Sequence, residues 1–112
     1  MTLSEKQQLF TIMVARLILW ATDHGYGLSI GEVYRTPEQA QLNAKTGKGI
    51  ASSLHTQRLA VDFNLFIDGV YQTDSASYLA LGEYWESIGG SWGGRFSKPD
   101  GNHFSLEHNG VK

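Results

Sequence analysis

Apolar residues near the start of the chain recur at the three- and four-residue spacing of an amphipathic α-helix. Ser4, followed three residues later by Gln7, forms a capping-box pattern where this segment begins. Gly25 supplies a stop signal at its end. The pattern predicts a first helix that buries most of its surface through the periodic set Phe10, Met13, Val14, Leu17 and Ile18.

Two more helices are predicted downstream. Thr36 is a favourable N-cap and Pro37 suits the first helical position, so a second helix is expected to begin there. A third helix is expected from about Ser75 to Ile88, ending at Gly89-Gly90. The stretch from Thr46 to Ser53 is rich in Gly, Ser and Lys without apolar periodicity, and it is predicted to be a loop.

Alternation of apolar and polar residues predicts a β-strand from Leu59 to Ile67, with Asp62 on its polar face. Asp68-Gly69, directly after it, is a signal for a tight hairpin turn. A second alternating segment, His103 to Glu107, turns His103 away from its apolar face. Two strands could therefore present an aspartate and a histidine from one polar face of a sheet.

A short strand is also expected from Leu28 to Tyr34, which places Arg35 at a strand-to-helix junction. The order of elements is then helix, strand, helix, loop, strand, helix, loop, strand. This order predicts an α+β fold, in which helices pack on one face of a small antiparallel sheet and the other face carries the polar site. A chain of 112 residues suits a single domain, residues 1–112.

Composition narrows the functional classes. Nine basic and 11 acidic residues give a formal net charge of −2, so neither a nucleic acid nor an anionic membrane is an expected partner. The apolar run from Leu9 to Ala21 is shorter than the roughly 20 residues that span a bilayer, and it contains Arg16. It also lacks the features of a cleavable signal peptide, so we expect synthesis in the cytoplasm without a membrane anchor.

Two histidines and an aspartate have the residue types and spacing of a zinc site. The chain has no cysteine, so any zinc must be bound through nitrogen and oxygen. His55, Asp62 and His103 could close three sides of one ion, and catalytic zinc sites typically combine three protein ligands with a water. Asp100, in an Asp-Gly-Asn turn three residues before His103, is placed to act as general base, with Glu107 a weaker candidate.

Short motifs spread from about Tyr34 to Glu107 carry a family resemblance. They are Ser53-x-His55, Ala60-x-Asp62, Asp100-x-x-His103, Tyr34-Arg35-Thr36-Pro37 and Gly90-Ser91-Trp92-Gly93. Together they resemble the signature of the zinc D,D-peptidase group, peptidase family M15. That group comprises VanY-type carboxypeptidases and the L-alanyl-D-glutamate endopeptidases of bacteriophage endolysins, and its fold is hedgehog-like or D,D-peptidase-like.

The resemblance implies roles for individual residues. One catalytic Zn²⁺ would be held by His55, Asp62 and His103. Asp100 would be the catalytic base, and Arg35 would bind substrate or stabilise charge on the scissile carbonyl. Two further residues would shape the substrate site: Ser53 and Trp92. One departure is visible, because Arg58 stands where the group often has glycine, and this puts substrate specificity in question more than metal binding.

The implied function is zinc-dependent hydrolysis of an amide bond in peptidoglycan stem peptides, in the manner of a phage endolysin L-alanyl-D-glutamate endopeptidase. A D-alanyl-D-alanine carboxypeptidase or dipeptidase is the alternative enzyme class. A non-catalytic, zinc-containing module that binds wall peptides is the third. The protein is expected to be a monomer that acts on the wall after release from the cytoplasm, through a holin-type partner if it is phage-encoded.

The candidate residues also have purely structural interpretations. An isolated histidine is usually an ordinary surface or packed residue. Asp100 could merely initiate its turn. Arg35 could simply pair with Glu32 or Glu38, and Trp92 could serve only core packing between glycines. The arrangement of these side chains in space distinguishes the two sets of interpretations.

Overall fold

Three α-helices and five β-strands make up the structure, a computed structural model that describes residues 1–112. The helices are α1 (Leu3–Asp23), α2 (Pro37–Lys45) and α3 (Leu79–Ser87), and the strands are β1 (Gly27–Ile30), β2 (Ala60–Ile67), β3 (Val70–Tyr71), β4 (Ser91–Trp92) and β5 (His103–Ser105). Single 3₁₀ turns lie at Leu54–Gln57, Ser75–Tyr78 and Gly93–Arg95. No helix combines the length and the apolar character that crossing a membrane requires.

The strands form one antiparallel sheet in the order β1-β2-β5-β4, with β3 paired to the end of β2. In the β2–β5 pair Asp62 lies directly opposite His103. Residues directly opposite one another in an antiparallel pair project from the same face of the sheet. The α+β fold with a small antiparallel sheet is confirmed, and the predicted shared polar face exists.

The turn between β2 and β3 has the backbone of a two-residue hairpin. Asp68 has φ 52° and Gly69 has φ 78°, so both central residues lie in the left-handed region. A type I′ turn requires this pair of positive φ angles, and the Asp-Gly sequence supplies residues that tolerate them. The hairpin predicted from these two residues is confirmed.

The hydrophobic core lies between α1, α3 and the face of the sheet opposite Asp62. Phe63 packs edge-on against Phe104, and Trp85 packs edge-on against both Phe104 and Phe10. Each fully buried apolar side chain of this size stabilises the fold by about 1.5–3 kcal/mol. The main contributors from strands and helices are Phe10, Met13, Leu17, Val61, Phe63, Leu65, Leu81, Trp85 and Phe104.

Helix α1 differs from its prediction at its start and on its outer face. Thr2, not Ser4, is the N-cap: its hydroxyl accepts from the Glu5 N–H at 3.1 Å, and Glu5 accepts from the Thr2 N–H at 2.9 Å. The negative charge of Glu5, in the first turn, also interacts favourably with the helix dipole. The expectation that α1 buries most of its surface is wrong, because only one face meets the core and Ile12 and Leu19 are 60% and 65% exposed.

Three predicted boundaries also change, and one is that of the last strand, which ends at Ser105 instead of Glu107. The third helix is divided into the 3₁₀ turn Ser75–Tyr78 and α3, and the Tyr78 hydroxyl accepts a hydrogen bond from the Leu65 N–H at 3.0 Å. The first strand ends at Ile30 instead of continuing to residue 34. The chain after it turns toward the polar site, where the carbonyl of Val33 faces His55.

Candidate active site

Three potential metal ligands converge on the polar face of the sheet. Asp62 on β2 and His103 on β5 face each other, with 3.6 Å between Asp62 Oδ1 and His103 Nδ1. His55, on the 3₁₀ turn Leu54–Gln57, brings its Nε2 atom to 3.3 Å from the same carboxylate oxygen. Both histidines are buried, with 2% and 6% of their surfaces exposed.

These three residues fit a bound zinc ion. An ion coordinated tetrahedrally at about 2.1 Å keeps its ligand atoms roughly 3.4 Å apart, close to both separations here. Asp62 Oδ1, which both imidazoles face, is buried and has no hydrogen-bond partner, and this is costly for a carboxylate oxygen unless a cation satisfies it. Two imidazoles and one carboxylate also form a usual donor set for a catalytic zinc site that keeps an open position.

The orientation of His55 is set by its neighbours. Its Nδ1 atom lies 2.9 Å from the Val33 carbonyl oxygen, which can only accept, so Nδ1 carries the proton and Nε2 is left for a cation. A backbone carbonyl of this kind is the usual outer partner of a zinc-ligating histidine. Ser53 caps the 3₁₀ turn, and its hydroxyl accepts from the His55 N–H at 3.3 Å. Ser53 thus positions a predicted ligand as well as lining the site.

The pKa values of Asp62 and His55 are shifted because the site places a carboxylate and imidazoles close together. Burial alone raises the pKa of Asp62, but the facing imidazoles of His103 and His55 outweigh burial and lower this pKa to about 2. Burial lowers the pKa of His55, whereas the Asp62 carboxylate, the Val33 carbonyl and the charge of Glu32 together raise it above 6.5. Asp62 is therefore an anion at any physiological pH, as metal ligation requires.

Asp100 reaches the cluster through a tightly closed loop. Its N–H donates to the Gly93 carbonyl at 2.9 Å, and its own carbonyl accepts from the His103 N–H at 3.0 Å. A Cβ atom at Gly93 would lie 2.2 Å from the Asp100 oxygen and 2.8 Å from His103 Cβ, so only glycine permits this approach. Desolvation of the carboxyl raises the pKa of Asp100, with the charge of Asp62 adding to the rise and that of His103 opposing it.

Arg35 is held by Glu32. Its Nε atom donates to Glu32 Oε1 at 3.0 Å, and its Nη2 atom donates to the same oxygen, leaving the Arg35 side chain 14% exposed. The Glu32 carboxylate also lies 3.8 Å from His55 Nδ1. From the sequence, Glu32 was only one of two possible ion-pair partners for Arg35. Its approach to His55 could not be predicted, because no local pattern links two positions so far apart in the chain.

Trp92 is placed in the core rather than on the wall of the site. It is 4% exposed, and its indole N–H donates to the Gly101 carbonyl at 2.8 Å. Cβ atoms at Gly82 and Gly94 would lie 2.1 and 2.3 Å from its ring, so these glycines make room for it. Trp92 therefore supports the segment that precedes His103. This agrees with the interpretation of Trp92 as a packing residue.

A cleft of about 530 Å³ contains the three candidate ligands together with Arg35, Ser53 and Asp100. Phe96 also lines it, and its ring packs 5.3 Å from the His103 ring, between centroids. Glu107, the weaker candidate base, is exposed and lies outside the cleft. Phe96, Lys48 and Lys98 are lining residues that sequence reasoning did not single out, because nothing in their local spacing distinguishes them from ordinary loop residues.

Comparisons with known proteins give a family match and similar folds. Residues 46–106 match the family described as D-alanyl-D-alanine carboxypeptidase. The fold is similar to the L-Ala D-Glu endopeptidase ChiX of Serratia marcescens, at 24% identity and a TM-score of 0.66 over 83% of this chain and 77% of that one.

A second similar structure is a vancomycin resistance D,D-pentapeptidase VanY variant from a VanB-type cassette, in complex with Zn(II). It is 20% identical, with a TM-score of 0.61 over 87% of this chain and 70% of that one. At such identities the two structures show a shared fold. No curated protein sequence matches the chain.

Proposed function

Because the chain belongs to the M15 peptidase family and is a zinc metallopeptidase acting on peptidoglycan, we propose that it is an L-alanyl-D-glutamate endopeptidase of the endolysin type. The bond would be the amide between the first two residues of the stem peptide. In a phage setting, access to the wall would depend on a holin-type, pore-forming partner. The likeness to the ChiX endopeptidase supports the proposal at the level of fold.

The open shape of the cleft is the observation that carries the choice of an endopeptidase. The three candidate metal ligands lie at its floor, and both histidines are buried there. The residues along its borders are exposed: Lys48, Ile50, Ser97 and Lys98. An exopeptidase needs a wall that stops the chain one residue beyond the scissile bond. A cleft bordered by exposed loops leaves room for peptide on both sides of the bond, as an endopeptidase requires.

The proposed chemistry assigns the proton transfers to Asp100. Zinc held by His55, Asp62 and His103 would polarise the scissile carbonyl and make water a better nucleophile near neutral pH. Asp100 would accept the proton of the attacking water and pass it to the leaving nitrogen. Its raised pKa suits the first of these steps, because a more basic carboxylate accepts a proton more readily near neutral pH. No covalent intermediate is needed.

Arg35 would offset negative charge as the tetrahedral state forms. Glu32 engages its Nε and Nη2 atoms, so Nη1 is the nitrogen left for substrate. This atom faces the loop at Gly49, where a Cβ would lie 3.6 Å away. Glu32 therefore fixes the plane of the guanidinium, and a fixed donor stabilises developing charge better than a mobile one.

Identification of the products tests the proposal. Purified peptidoglycan is digested with the zinc-loaded protein, and the new termini are identified by mass spectrometry. New amino-terminal glutamate on the stem peptide is the expected result. Release of free D-alanine instead would establish the carboxypeptidase, and absence of any new terminus would exclude both enzymes.

The D-alanyl-D-alanine carboxypeptidase, or a related dipeptidase, is the second candidate. The description of the matching family and the fold likeness to VanY favour it. A non-catalytic wall-peptide-binding module is a weaker alternative, because a structural zinc site is normally closed by four protein ligands and the cluster here has three.

A further inference from the structure

Basic residues are concentrated around the cleft, although the whole chain is slightly acidic. Four of the nine Lys and Arg residues line it, whereas Asp62 and Asp100 are the only two of the 11 acidic residues that do. A bound zinc ion would add further positive charge. Such a cleft attracts anionic groups on a substrate. The four basic residues are Arg35, Lys48, Lys98 and Lys112.

The lysines of this group differ from Arg35 in being unpaired. Glu32 largely neutralises Arg35, whereas Lys48 and Lys98 form neither a salt bridge nor a side-chain hydrogen bond. Both are exposed. The ammonium groups of Lys48 and Lys98 are therefore available to a carboxylate on a bound peptide, and Arg35 is only partly so.

Lys98 is held close to the proposed base. The N–H groups of Phe96 and Asp100 both donate to the Gly93 carbonyl, at 3.1 and 2.9 Å, so residues 96–100 form a closed loop. Pro99 lies between Lys98 and Asp100 and restricts the backbone further. The loop that carries the proton-transfer carboxylate thus also carries an unpaired cation two residues away.

Both bonds considered under the proposed function place a carboxylate next to the leaving nitrogen. The glutamate of a stem peptide is linked through its γ-carboxyl, so its α-carboxylate is free, and a terminal D-alanine also has a free α-carboxylate. In each case this group is attached to the carbon that bears the nitrogen receiving the proton. A base that protonates this nitrogen therefore lies beside the carboxylate.

We propose that Lys98 binds the free α-carboxylate of the residue whose nitrogen leaves, and that it makes the enzyme selective for the acid over the amide form of that residue. This inference rests on the proposed function, and it adds a specificity-determining residue. An exposed pair of a lysine and a carboxylate changes binding by only a modest amount, so the expected discrimination is roughly two- to fivefold.

The test compares kcat/KM on matched synthetic stem peptides that carry either the free α-carboxylate or its carboxamide. One pair has D-glutamate or D-isoglutamine after L-alanine, and the other ends in D-Ala-D-Ala or its amide. The wild type, Lys98→Gln and Lys98→Arg are assayed with zinc, and Lys45→Gln is the control. Lys45 is exposed on α2 outside the cleft, so its variant removes the same charge elsewhere.

Wild type, Lys45→Gln and Lys98→Arg are expected to prefer the acid by roughly two- to fivefold, and Lys98→Gln is expected to lose most of this preference. The peptide pair that is cleaved shows whether the bound carboxylate belongs to D-glutamate or to the terminal D-alanine. Cleavage without any preference in the wild type, or an unchanged preference in Lys98→Gln, overturns the assignment of Lys98 alone. If neither pair is cleaved, the proposed peptidase function is wrong, and the assignment of Lys98 is then wrong as well.

Discussion

Arg58 stands where the sequence resemblance implies glycine, and its backbone conformation is one that favours glycine. It has φ 56° and ψ 37°, a left-handed conformation that costs an L-residue about 1–2 kcal/mol and glycine almost nothing. Its guanidinium lies 4.1 Å from the centroid of the Tyr34 ring, an interaction that contributes about 0.5–1 kcal/mol at an exposed site. Arg58 does not line the cleft, so the substitution concerns local conformation.

Replacing Asp100 with Asn is expected to separate catalysis from metal binding. The amide keeps the shape of the side chain but cannot take a proton, and loss of a general base lowers kcat by about 10²- to 10⁴-fold. The zinc content should stay at one ion per chain, because Asp100 is outside the ligand cluster. Turnover on purified cell wall and elemental analysis measure the two properties.

His55→Ala is the companion variant, since it removes a proposed ligand and should lose both zinc and turnover. Wild-type turnover in Asp100→Asn would show that another group acts as the base.

At the scale of elements, the site depends on the register between β2 and β5. Asp62 and His103 meet because they are directly opposed in this pair. A shift of one residue would turn one of them into the core, because side chains alternate between faces along a strand. Val61 and Phe104, buried on the opposite face, hold the register in place. The same packing that forms the core therefore aligns two of the three proposed ligands.

Gly93→Ala is expected to disturb the loop that joins β4 to β5. The added methyl group would overlap the Asp100 carbonyl and crowd His103, which should destabilise the fold by roughly 1–3 kcal/mol and weaken zinc binding. Urea unfolding and zinc titration against a competing chelator measure the two effects.

Gly25→Ala is the matched control for this variant. Gly25 has φ 80° and no atom within 4 Å of its Cβ position, so alanine there should cost backbone strain alone. Unchanged zinc affinity in Gly93→Ala would show that the close approach at Gly93 does not align the site.

For the whole molecule, zinc binding should be coupled to folding. A ligand that binds only the folded state stabilises it by about 4 kcal/mol when its free concentration is 1,000 times Kd. For a chain of this length the corresponding rise in Tm is roughly 10–20 °C. Zinc requires neutral imidazole, and the pKa of His55 is raised above 6.5, so protons compete for this ligand at mildly acidic pH.

The pH dependence of this coupling has a defined sign. In the metal-free protein, the raised pKa of His55 stabilises the fold fully below 6.5, and this contribution is lost as pH rises through the folded-state pKa. The rise in Tm on adding zinc should therefore be larger at about pH 8 than at about pH 6. Thermal unfolding of metal-free and zinc-loaded protein at both pH values measures it, and an equal rise at both would contradict the prediction.

Local patterns in the sequence were enough to predict most of the elements. The cap at Thr36, the Asp68-Gly69 turn and the alternation from Leu59 to Ile67 all act within a few residues, and the structure has α2, the hairpin and β2 where they indicate. The residue types suited to zinc were equally visible, because ligand chemistry belongs to the side chain itself.

Only the tertiary structure decided how distant segments meet. The opposition of Asp62 and His103 is a matter of strand register, and the burial of Trp92 depends on space left by Gly82 on helix α3. The gathering of Lys48 and Lys98 around one cleft likewise joins two separate loops. These contacts arise from packing of the whole core, a non-local balance of burial and steric fit that no short stretch of sequence encodes.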